Sequence, residues 1–340
     1  MQNLRPVARL LRQTRITLAC RQAPGDILMI TGVVRDLKKL KPELDIGVYT
    51  TAEELWANNP YCVFRHIRDK WSNPITINYE HWLNQANFDP NKMHFLGSIH
   101  KFVGRQLGIE IPVTEWHGDI HMSQSEKETA PIVDEPYWIL VCGGKTDFTT
   151  KWWNPDHAKK VVDHFKGKIK FLQIGDKGTP GVYPEHVHFP VDGADNMIGK
   201  TSIRDLIRLV YNASGVLCPV TFLMHLSAAV PVNPKFDYKI RPTVVVAGGR
   251  EPPHWEEYEG HRFLHTIGQL DCCEKGGCWA RRAQLVDDGK PWNRVEMCKR
   301  PIQLNSSLRI AECMHMLNPN KIIEAIESYY PKTQQLTVSV

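Results

Sequence analysis

The stretch SGVLCPVTFLMHLSAAV, residues 214–230, decides the fold predicted for this chain. Its first half is a short apolar run that ends at Pro219, a pattern typical of a buried strand. Its second half is small and apolar and begins at Thr221, a residue type favoured at helix N-caps. The stretch therefore predicts a strand that leads directly into a helix.

This junction also predicts an anion site, because the first backbone N–H groups of a helix have no partner within the helix. Ligand phosphates would meet Thr221 and the three N–H groups that follow it, which belong to Phe222, Leu223 and Met224. His225 falls on the first turn and adds a ring donor. The alternative is an ordinary strand–turn–helix whose histidine faces the core.

Length and composition favour two α/β domains with a packed core. The chain has 340 residues, with 42 Lys and Arg against 37 Asp and Glu, which gives a net charge of +5. That mild excess favours anionic partners such as nucleotides without requiring nucleic acid. No apolar run is long enough for a membrane span, and the N-terminus lacks the apolar region of a secretory signal. We therefore expect a cytoplasmic protein without a membrane span.

Apolar runs and helical patterns alternate along the chain, which predicts parallel sheets with right-handed crossovers. Strands are expected at residues 15–20, 45–50, 62–67, 75–79, 138–141, 170–174, 214–220 and 243–247, and helices at 27–40, 52–58, 94–107, 156–165, 202–213 and 321–329. The sequence thus predicts two Rossmann-like halves. The ligand should lie between them, at the carboxyl ends of the strands.

Two segments at predicted strand ends carry candidate chemistry. Asp26 opens the first helix and is either a general base or a helix cap. The loop at residues 143–151 offers hydroxyls and two lysines, which suits a diphosphate, although a polar surface loop has the same composition. Residues 199–202 (GKTS) invite a phosphate-loop interpretation, but the glycine spacing and the missing preceding strand rule it out. A capping pair of Thr201 or Ser202 with Asp205 explains them better.

Four motifs occur in a characteristic order: GDIL at residues 25–28, KWW at 151–153, GKTS at 199–202 and TFLMHLSAA at 221–229. In these motifs the chain resembles the bacterial ADP-heptose heptosyltransferases, glycosyltransferase family 9, over roughly residues 15–270. The resemblance implies a GT-B fold of two Rossmann-like domains with a cleft between them. It also implies an inverting transfer from a nucleotide-diphosphate sugar without a catalytic divalent metal, and the second half has no Asp-x-Asp pair.

The resemblance assigns roles to particular residues. Asp26 is implied as the general base. The implied donor-binding residues are Thr149, Thr150, Lys151, Gly175, Thr201, Thr221, Phe222, Leu223, Met224 and His225. The implied regions are an acceptor domain at 1–125, a linker at 126–136, a nucleotide-sugar domain at 137–270, a cysteine-rich segment at 271–316, and a helix with a tail at 317–340.

One motif departs from the family. Where the family carries Asp-Thr-Gly or Asp-Ser-Gly, this chain has Val220-Thr221-Phe222. The loss of the acid and the glycine changes the floor of the donor pocket. The sugar or the nucleotide can therefore differ from ADP-heptose.

Five of the nine cysteines crowd into the 42 residues from 272 to 313: Cys272, Cys273, Cys278, Cys298 and Cys313. A disulfide framework fits poorly with the absence of a secretory signal, and the polar surroundings offer no core for buried thiols. Four thiolates instead predict a structural zinc or iron site, with Cys278, Cys298, Cys313 and either Cys272 or Cys273. The segment resembles the iron-binding region of bacterial autotransporter heptosyltransferases, which implies iron, an ADP-heptose donor, protein serines as acceptors and large oligomers.

The leading functional hypothesis is therefore a glycosyltransferase that acts on a hydroxyl of a protein or a glycan. A transferase that modifies nucleic acid is a second hypothesis, favoured by the positive net charge and a basic leader at residues 5–15. A catalytically inactive nucleotide-sugar-binding protein is a third, in which the altered residues 220–222 have abolished turnover.

Overall fold

The computed structural model describes residues 14–65, 74–78, 93–178, 185–286 and 297–330. The chain divides into two compact units. Unit 1 comprises Met1–Thr129 and Ala228–Pro231, and unit 2 comprises Ala130–Ser227 and Val232–Val340. The break after Thr129 falls within the linker expected at 126–136. Most of the basic leader, the C-terminal tail after residue 330, and the outer ends of the strands predicted at 62–67 and 75–79 lie outside the described residues.

Unit 1 is built on a parallel four-stranded sheet in the order β3-β2-β1-β4. Its strands are β1 (Arg15–Cys20), β2 (Asp45–Thr50), β3 (Val63–Phe64) and β4 (Ile75–Thr76), and its helices are α1 (Pro24–Leu40), α2 (Phe95–Leu107) and α3 (Gln124–Glu128). The predicted bounds of β1 and β2 are confirmed. A single 3₁₀ turn, Glu53–Trp56, replaces the short helix predicted at 52–58.

Helices α1 and α2 pack together and share a buried polar network. The Asp36 carboxylate on α1 is fully buried and accepts hydrogen bonds from Arg35 (Nε, 2.9 Å) and from His100 of α2 (Nε2, 2.9 Å). It also accepts hydrogen bonds from the backbone N–H and the hydroxyl of Thr114 (3.1 and 2.5 Å). Because a buried charge is costly without such partners, this network fixes α1 against α2.

Unit 2 is built on a parallel six-stranded sheet in the order β12-β11-β10-β5-β7-β9. The unit's strands are β5 (Tyr137–Leu140), β6 (Gly143–Lys145), β7 (Lys170–Gln173), β8 (His186–His188), β9 (Asp195–Asn196), β10 (Gly215–Pro219), β11 (Thr243–Gly248), β12 (Arg262–His265), β13 (Pro301–Gln303) and β14 (Arg309–Ala311). Two antiparallel pairs, β6 with β8 and β13 with β14, lie outside the main sheet. The strands predicted for this half are confirmed to within one or two residues.

The helices predicted for the second half are confirmed to within about two residues, and the structure adds two short helices that were not predicted. The described helices are α4 (Pro155–His164), α5 (Ile203–Asn212), α6 (Phe222–Ala229), α7 (Pro253–Glu256), α8 (Glu312–His315) and α9 (Pro319–Glu327), of which α7 and α8 are the additions. Helix α5 begins with the capping pair expected of Ser202 and Asp205, whose side chain and backbone groups bond reciprocally. No helix among the described residues has the length and apolar character needed to cross a bilayer.

The strand order of unit 2 places a topological switch point between β5 and β10. From β5 the chain first moves outward to β7 and β9, and it then returns to the other side of β5 through β10, β11 and β12. Parallel α/β sheets bind ligands at the carboxyl edge beside such a reversal. The carboxyl ends of β5 and β10 lead to the 143–151 loop and to residues 221–225, the two segments predicted to bind a diphosphate.

Candidate functional site

The loop after β5 is anchored on both sides. Gly143 has φ +118, and a Cβ there would lie 2.1 Å from the Val187 carbonyl oxygen, so the close pairing of β6 with β8 requires glycine. After a 3₁₀ segment at Thr146–Lys151, the side chains of Trp152 and Trp153 are buried. The KWW motif thus holds Lys151 next to two core tryptophans.

Thr149 and Thr150 tie this loop to the cysteine-rich segment. Both are buried, and the Thr149 hydroxyl accepts from the backbone N–H groups of Ala283 and Gln284 (3.0 and 2.9 Å). The Thr150 hydroxyl donates to the Ala280 carbonyl oxygen (2.8 Å), and its backbone N–H donates to Arg281 (3.1 Å). These hydroxyls stabilise the loop, and their contribution to donor binding stays a prediction.

Lys151 belongs to a charged cluster around the Phe148 ring. Its Nζ lies 3.0 Å from a carboxylate oxygen of Glu251, which is buried and also pairs with the Arg250 guanidinium. Arg250 lies over the Phe148 ring at 4.8 Å and donates from Nε to the Ala280 carbonyl oxygen (2.8 Å). The Glu251 carboxylate therefore fixes two cations at the carboxyl end of β11, beside β10.

Residues 219–225 form the strand–helix junction that the sequence predicted. The Thr221 hydroxyl donates to the Pro219 carbonyl oxygen (3.3 Å), and α6 begins at Phe222. The Met224 N–H donates to the Thr221 carbonyl oxygen (3.0 Å), which closes the first turn. The prediction that this N–H group meets a phosphate is therefore wrong, because the group already has a partner within the helix. His225 is buried, and its Nδ1 lies 2.6 Å from the Tyr258 hydroxyl. An ordered N-terminal turn of this kind is suited to an anion.

Gly175 lies beyond β7 in contact with Gly199, two residues before Thr201. The N–H of Gly199 donates to the Gly175 carbonyl oxygen (2.7 Å), which brings the GKTS turn against the end of β7. A neighbouring open cavity of about 380 Å³ is lined mostly by polar and charged residues: Asp176, Lys177, His186, His188, Pro190, Asn196, Ile198 and Lys200. The structure thus adds a roomy cavity to the same edge of the sheet.

Asp26 lies in the first turn of α1 and is half-buried. One of its carboxylate oxygens accepts the backbone N–H of Ala23 (3.0 Å), so the side chain caps the helix. Asp26 therefore has the helix-capping role that was one of its two predicted roles. It also fixes the orientation of the carboxylate. Its role as a general base stays a prediction.

Four of the five clustered cysteines line one cavity of about 70 Å³: Cys272, Cys278, Cys298 and Cys313. Burial, together with the neighbouring cysteines, raises the pKa of the Cys313 thiol to about 12 and that of Cys272 to about 11. Cys273 instead directs its sulfur toward the carbonyl oxygens of Thr266 and Leu270 (both 3.4 Å). Cys272 therefore lines the cavity with the other three cysteines, whereas Cys273 does not.

The thiols surround this cavity without converging on a ligating geometry. In the part of the chain that the structure describes, no group of three or more His, Cys, Asp or Glu side chains is arranged to hold a metal ion. The donor set itself, four cysteines around one small cavity, has the chemistry that zinc or iron requires. The cysteine-rich segment is thus a thiol cluster, and metal binding by it stays a prediction.

Sequence reasoning missed Arg250, Glu251 and Tyr258. Their signal was weak, because charged residues directly after a β-branched strand are common in loops. Arg250 and Glu251 follow the predicted strand TVVVA at its carboxyl end, where the fold rule would have drawn attention to them. Tyr258 could not have been connected to His225, which lies 33 positions earlier.

No protein-family model matches the sequence, and no curated protein is significantly similar to it. Several solved structures share its fold. The dodecameric iron-containing heptosyltransferase TibC from enterotoxigenic E. coli H10407, solved with ADP-D-beta-D-heptose, matches with a TM-score of 0.63 at 17% identity. That match covers 95% of this chain and 77% of TibC.

Two further structures agree with this match. A family 9 glycosyl transferase from Veillonella parvula DSM 2008 matches with a TM-score of 0.57 at 14% identity, over 92% of this chain and 96% of the other. The E. coli ADP-heptose lipopolysaccharide heptosyltransferase II gives 0.51 at 13% identity, over 92% and 98%. The chain therefore has the mixed α/β fold, with parallel sheets, of GT-B-like glycosyltransferases.

Proposed function

We propose that this protein is an inverting glycosyltransferase that moves a sugar, heptose from ADP-heptose, to a hydroxyl of a protein or a glycan. One observation carries the proposal. The loop that carries Lys151 follows β5 and helix α6 follows β10, and these two adjacent strands form the switch point of unit 2. The fold similarity to three glycosyltransferases, two of them named as heptosyltransferases, supports it.

The diphosphate of the donor is held by cations and N–H groups. Lys151, oriented by Glu251, provides one positive charge, and the N–H groups at Phe222 and Leu223 provide dipoles that favour an anion. Negative charge accumulates on the leaving diphosphate as the glycosidic bond breaks. Donors already fixed in place stabilise that charge in the transition state.

Asp26 acts on the acceptor. The acceptor hydroxyl attacks the anomeric carbon from the face opposite the diphosphate, and the Asp26 carboxylate takes its proton as the new bond forms. The diphosphate leaves with the bonding electrons, so the configuration at the anomeric carbon is inverted. The hydrogen bond from the Ala23 N–H keeps the Asp26 carboxylate in one orientation for this step.

The thiol cluster has a structural role in this proposal. Cys272, Cys278, Cys298 and Cys313 would hold one iron or zinc ion, which leaves no open position for substrate. Segment 278–284 is hydrogen-bonded to Thr149 and Thr150, and through Ala280 it is bonded to Arg250. A metal at the cluster would therefore stabilise segment 278–284, and through it the loop that carries Lys151.

A panel of nucleotides tests the donor. Thermal unfolding is measured with ADP, UDP, GDP, CDP and their sugars, and we expect ADP and ADP-heptose to stabilise the protein most. A ligand at a hundred times its dissociation constant adds about 2.7 kcal/mol. Stronger stabilisation by another nucleotide would show that ADP-heptose is not the donor. An absence of stabilisation by all of them would refute donor binding. Transfer to an oligonucleotide, rather than to protein or glycan, would replace the proposed acceptor.

Cys298→Ser tests the metal. We expect the purified wild type to carry about one iron or zinc per chain by elemental analysis, and the variant to lose both the metal and solubility. Cys62→Ser, which removes a partly exposed free thiol from unit 1, is the matched control and should retain the metal. Metal-free wild type with normal folding and activity would show that the thiol cluster is not a metal site.

A further inference from the structure

Three cationic side chains of unit 2 surround the ring of Phe148. The Lys151 Nζ lies 5.7 Å from the ring centroid, and the guanidinium carbons of Arg250 and Arg281 lie 4.8 and 5.3 Å from it. Each of these distances is within the range of a cation–π contact. Lys151 and Arg250 also pair with the Glu251 carboxylate. Three positive charges are therefore gathered around one aromatic ring.

Arg281 reaches this ring from the cysteine-rich segment. Its carbonyl oxygen accepts the backbone N–H of Thr150 (3.1 Å), the residue directly before Lys151. A second hydrogen bond lies beside the first, because the Thr149 hydroxyl accepts the backbone N–H of Ala283 (3.0 Å). The main chain at Arg281 is therefore fixed against the loop that carries Lys151.

The exposure of the side chains distinguishes the three cations. The Arg250 side chain is only 8% exposed, and its Nε donates to the Ala280 carbonyl oxygen (2.8 Å), so it is packed within the protein. The Lys151 side chain is 23% exposed, and Arg281 is likewise partly exposed. A ligand can therefore reach Lys151 and Arg281, whereas Arg250 is enclosed.

The three charges repel one another, and such repulsion is strongest where water is partly excluded. An anion in contact with two of the cations would offset this repulsion, which is why clustered cations attract anionic ligands. A guanidinium suits a phosphate in particular, because its planar N–H groups can form two parallel hydrogen bonds to phosphate oxygens. The arrangement therefore favours a ligand with several negative charges, such as a nucleoside diphosphate.

We infer that Arg281 is a second donor-binding cation, which contacts the diphosphate of the nucleotide sugar together with Lys151. This role rests on the proposed function, which brings the diphosphate to Lys151. It gives the cysteine-rich segment a direct contact with the donor, in addition to its support of the loop that carries Lys151. A guanidinium already in place also stabilises the charge that accumulates on the diphosphate as the glycosidic bond breaks.

Calorimetric titration with ADP and with adenosine tests this role, because adenosine lacks the phosphates. Arg281→Gln should weaken ADP binding by about ten- to hundredfold, the loss typical of hydrogen bonds between charged groups, and should leave adenosine binding unchanged. Arg281→Lys keeps the charge without the planar guanidinium, so it should recover only part of the ADP affinity.

Arg309→Gln is the matched control. It removes an equal charge from an exposed side chain on β14, whose Nε donates to the Gln303 side chain (2.6 Å). We expect this variant to bind ADP and adenosine as the wild type does.

Two calorimetric results would overturn the inference. If Arg281→Gln binds ADP as tightly as a wild type that binds it well, Arg281 does not contact the diphosphate, and the proposed function stands. If Arg281→Gln loses ADP and adenosine affinity equally, Arg281 serves the fold of the site and not the phosphates. A wild type that does not bind ADP would instead refute the proposed function, and the inference with it.

A crystal structure of the wild type with ADP decides the matter even if both Arg281 variants fail to fold. The inference requires the Arg281 guanidinium to lie within hydrogen-bond distance of a phosphate oxygen. A guanidinium beyond that distance from every phosphate oxygen, with the diphosphate on Lys151, would contradict the inference and leave the proposed function intact.

Discussion

Asp26 and Asp36 belong to the same helix, yet the structure surrounds them differently. Asp36 is fully buried and accepts hydrogen bonds from Arg35, His100 and Thr114. Asp26 is half-buried in the first turn, at the carboxyl end of β1, and caps the helix through the Ala23 N–H. The difference teaches that a carboxylate buried within a hydrogen-bond network serves the fold, whereas a partly exposed one at a strand end is the better candidate for contact with a substrate.

The charge state of Asp36 supports this division. Burial alone would raise the pKa of its carboxyl, but hydrogen bonds from His100, Arg35 and Thr114 lower that pKa well below its usual range. Asp36 therefore stays ionised at neutral pH, and its charge is neutralised within the helix pair. A group held in this way stabilises unit 1 and cannot exchange protons during a reaction.

The largest effect should come from Asp26→Asn, which removes the proton acceptor. We expect turnover to fall by about a hundred- to ten-thousandfold, the range attributed to general base catalysis, with ADP binding nearly unchanged. Steady-state transfer assays and calorimetry check the two parts. Turnover within tenfold of the wild type would mean that Asp26 is only a helix cap. It would contradict the proposed difference in role between Asp26 and Asp36.

Asp36→Asn should have the opposite outcome. Breaking a buried, paired charge should destabilise unit 1 by roughly 3 kcal/mol, whereas ADP binding by the folded protein should be retained. Denaturant unfolding, followed through amide exchange in α1, measures the loss. Asp45→Asn is the control, because its pair with Arg15 is exposed and should contribute less than about 1 kcal/mol.

The same network has a pH signature. The pKa of Asp36 is lower in the folded than in the unfolded protein, so its stabilisation is fully present above an unfolded value of about 3.9 and is lost as the pH falls below it. Asp36→Asn should therefore unfold with a shallower acid dependence than the wild type. Parallel acid dependences in both proteins would show that Asp36 does not carry this stabilisation.

Lys151→Ala extends the comparison to a cation of unit 2. Because Lys151 meets the diphosphate in the ground state and in the transition state, we expect weaker ADP binding and a kcat/KM lower by about a hundredfold. Lys170→Ala is the control, since Lys170 pairs with Glu135 and Asp195 as Lys151 pairs with Glu251. An unchanged KM together with an unchanged rate would place Lys151 outside the site.

Thr221→Val should have the smallest effect. The substitution removes one hydroxyl at the start of α6, and we expect ADP affinity and rate to fall by less than about tenfold. Thr243→Val removes a buried hydroxyl from β11 and should change stability without changing ADP affinity. If Thr221→Val and Thr243→Val weaken ADP binding equally, the hydroxyl of Thr221 does not contact the diphosphate.

The sequence was sufficient to predict eight of the fourteen described strands, most helices and the edge of the sheet that carries the candidate residues. These features depend on local periodicity, on turn residues and on a general rule for parallel sheets. The strand–helix junction at residues 219–225 is the clearest case, because Pro219 ends a buried run and an apolar helix follows it directly.

Contacts between distant segments could not be predicted in this way. Thr149 reaches Gln284 across 135 positions, and this contact gives a predicted donor ligand a structural role. Asp26 and Asp36 likewise cannot be told apart in the sequence, since the burial and the hydrogen bonds that distinguish them exist only in the folded chain. The choice of Cys272 over Cys273 depends on a 3₁₀ turn at Asp271–Cys273 that directs adjacent sulfurs to different places.

A crystal structure of the protein with ADP tests the central claim most directly. The account predicts the diphosphate at the switch point of unit 2, with Lys151 Nζ and the N–H groups at the start of α6 within hydrogen-bond distance of its oxygens. ADP bound with its diphosphate in the cavity lined by Asp176 and Lys200, away from Lys151 and α6, would contradict the account.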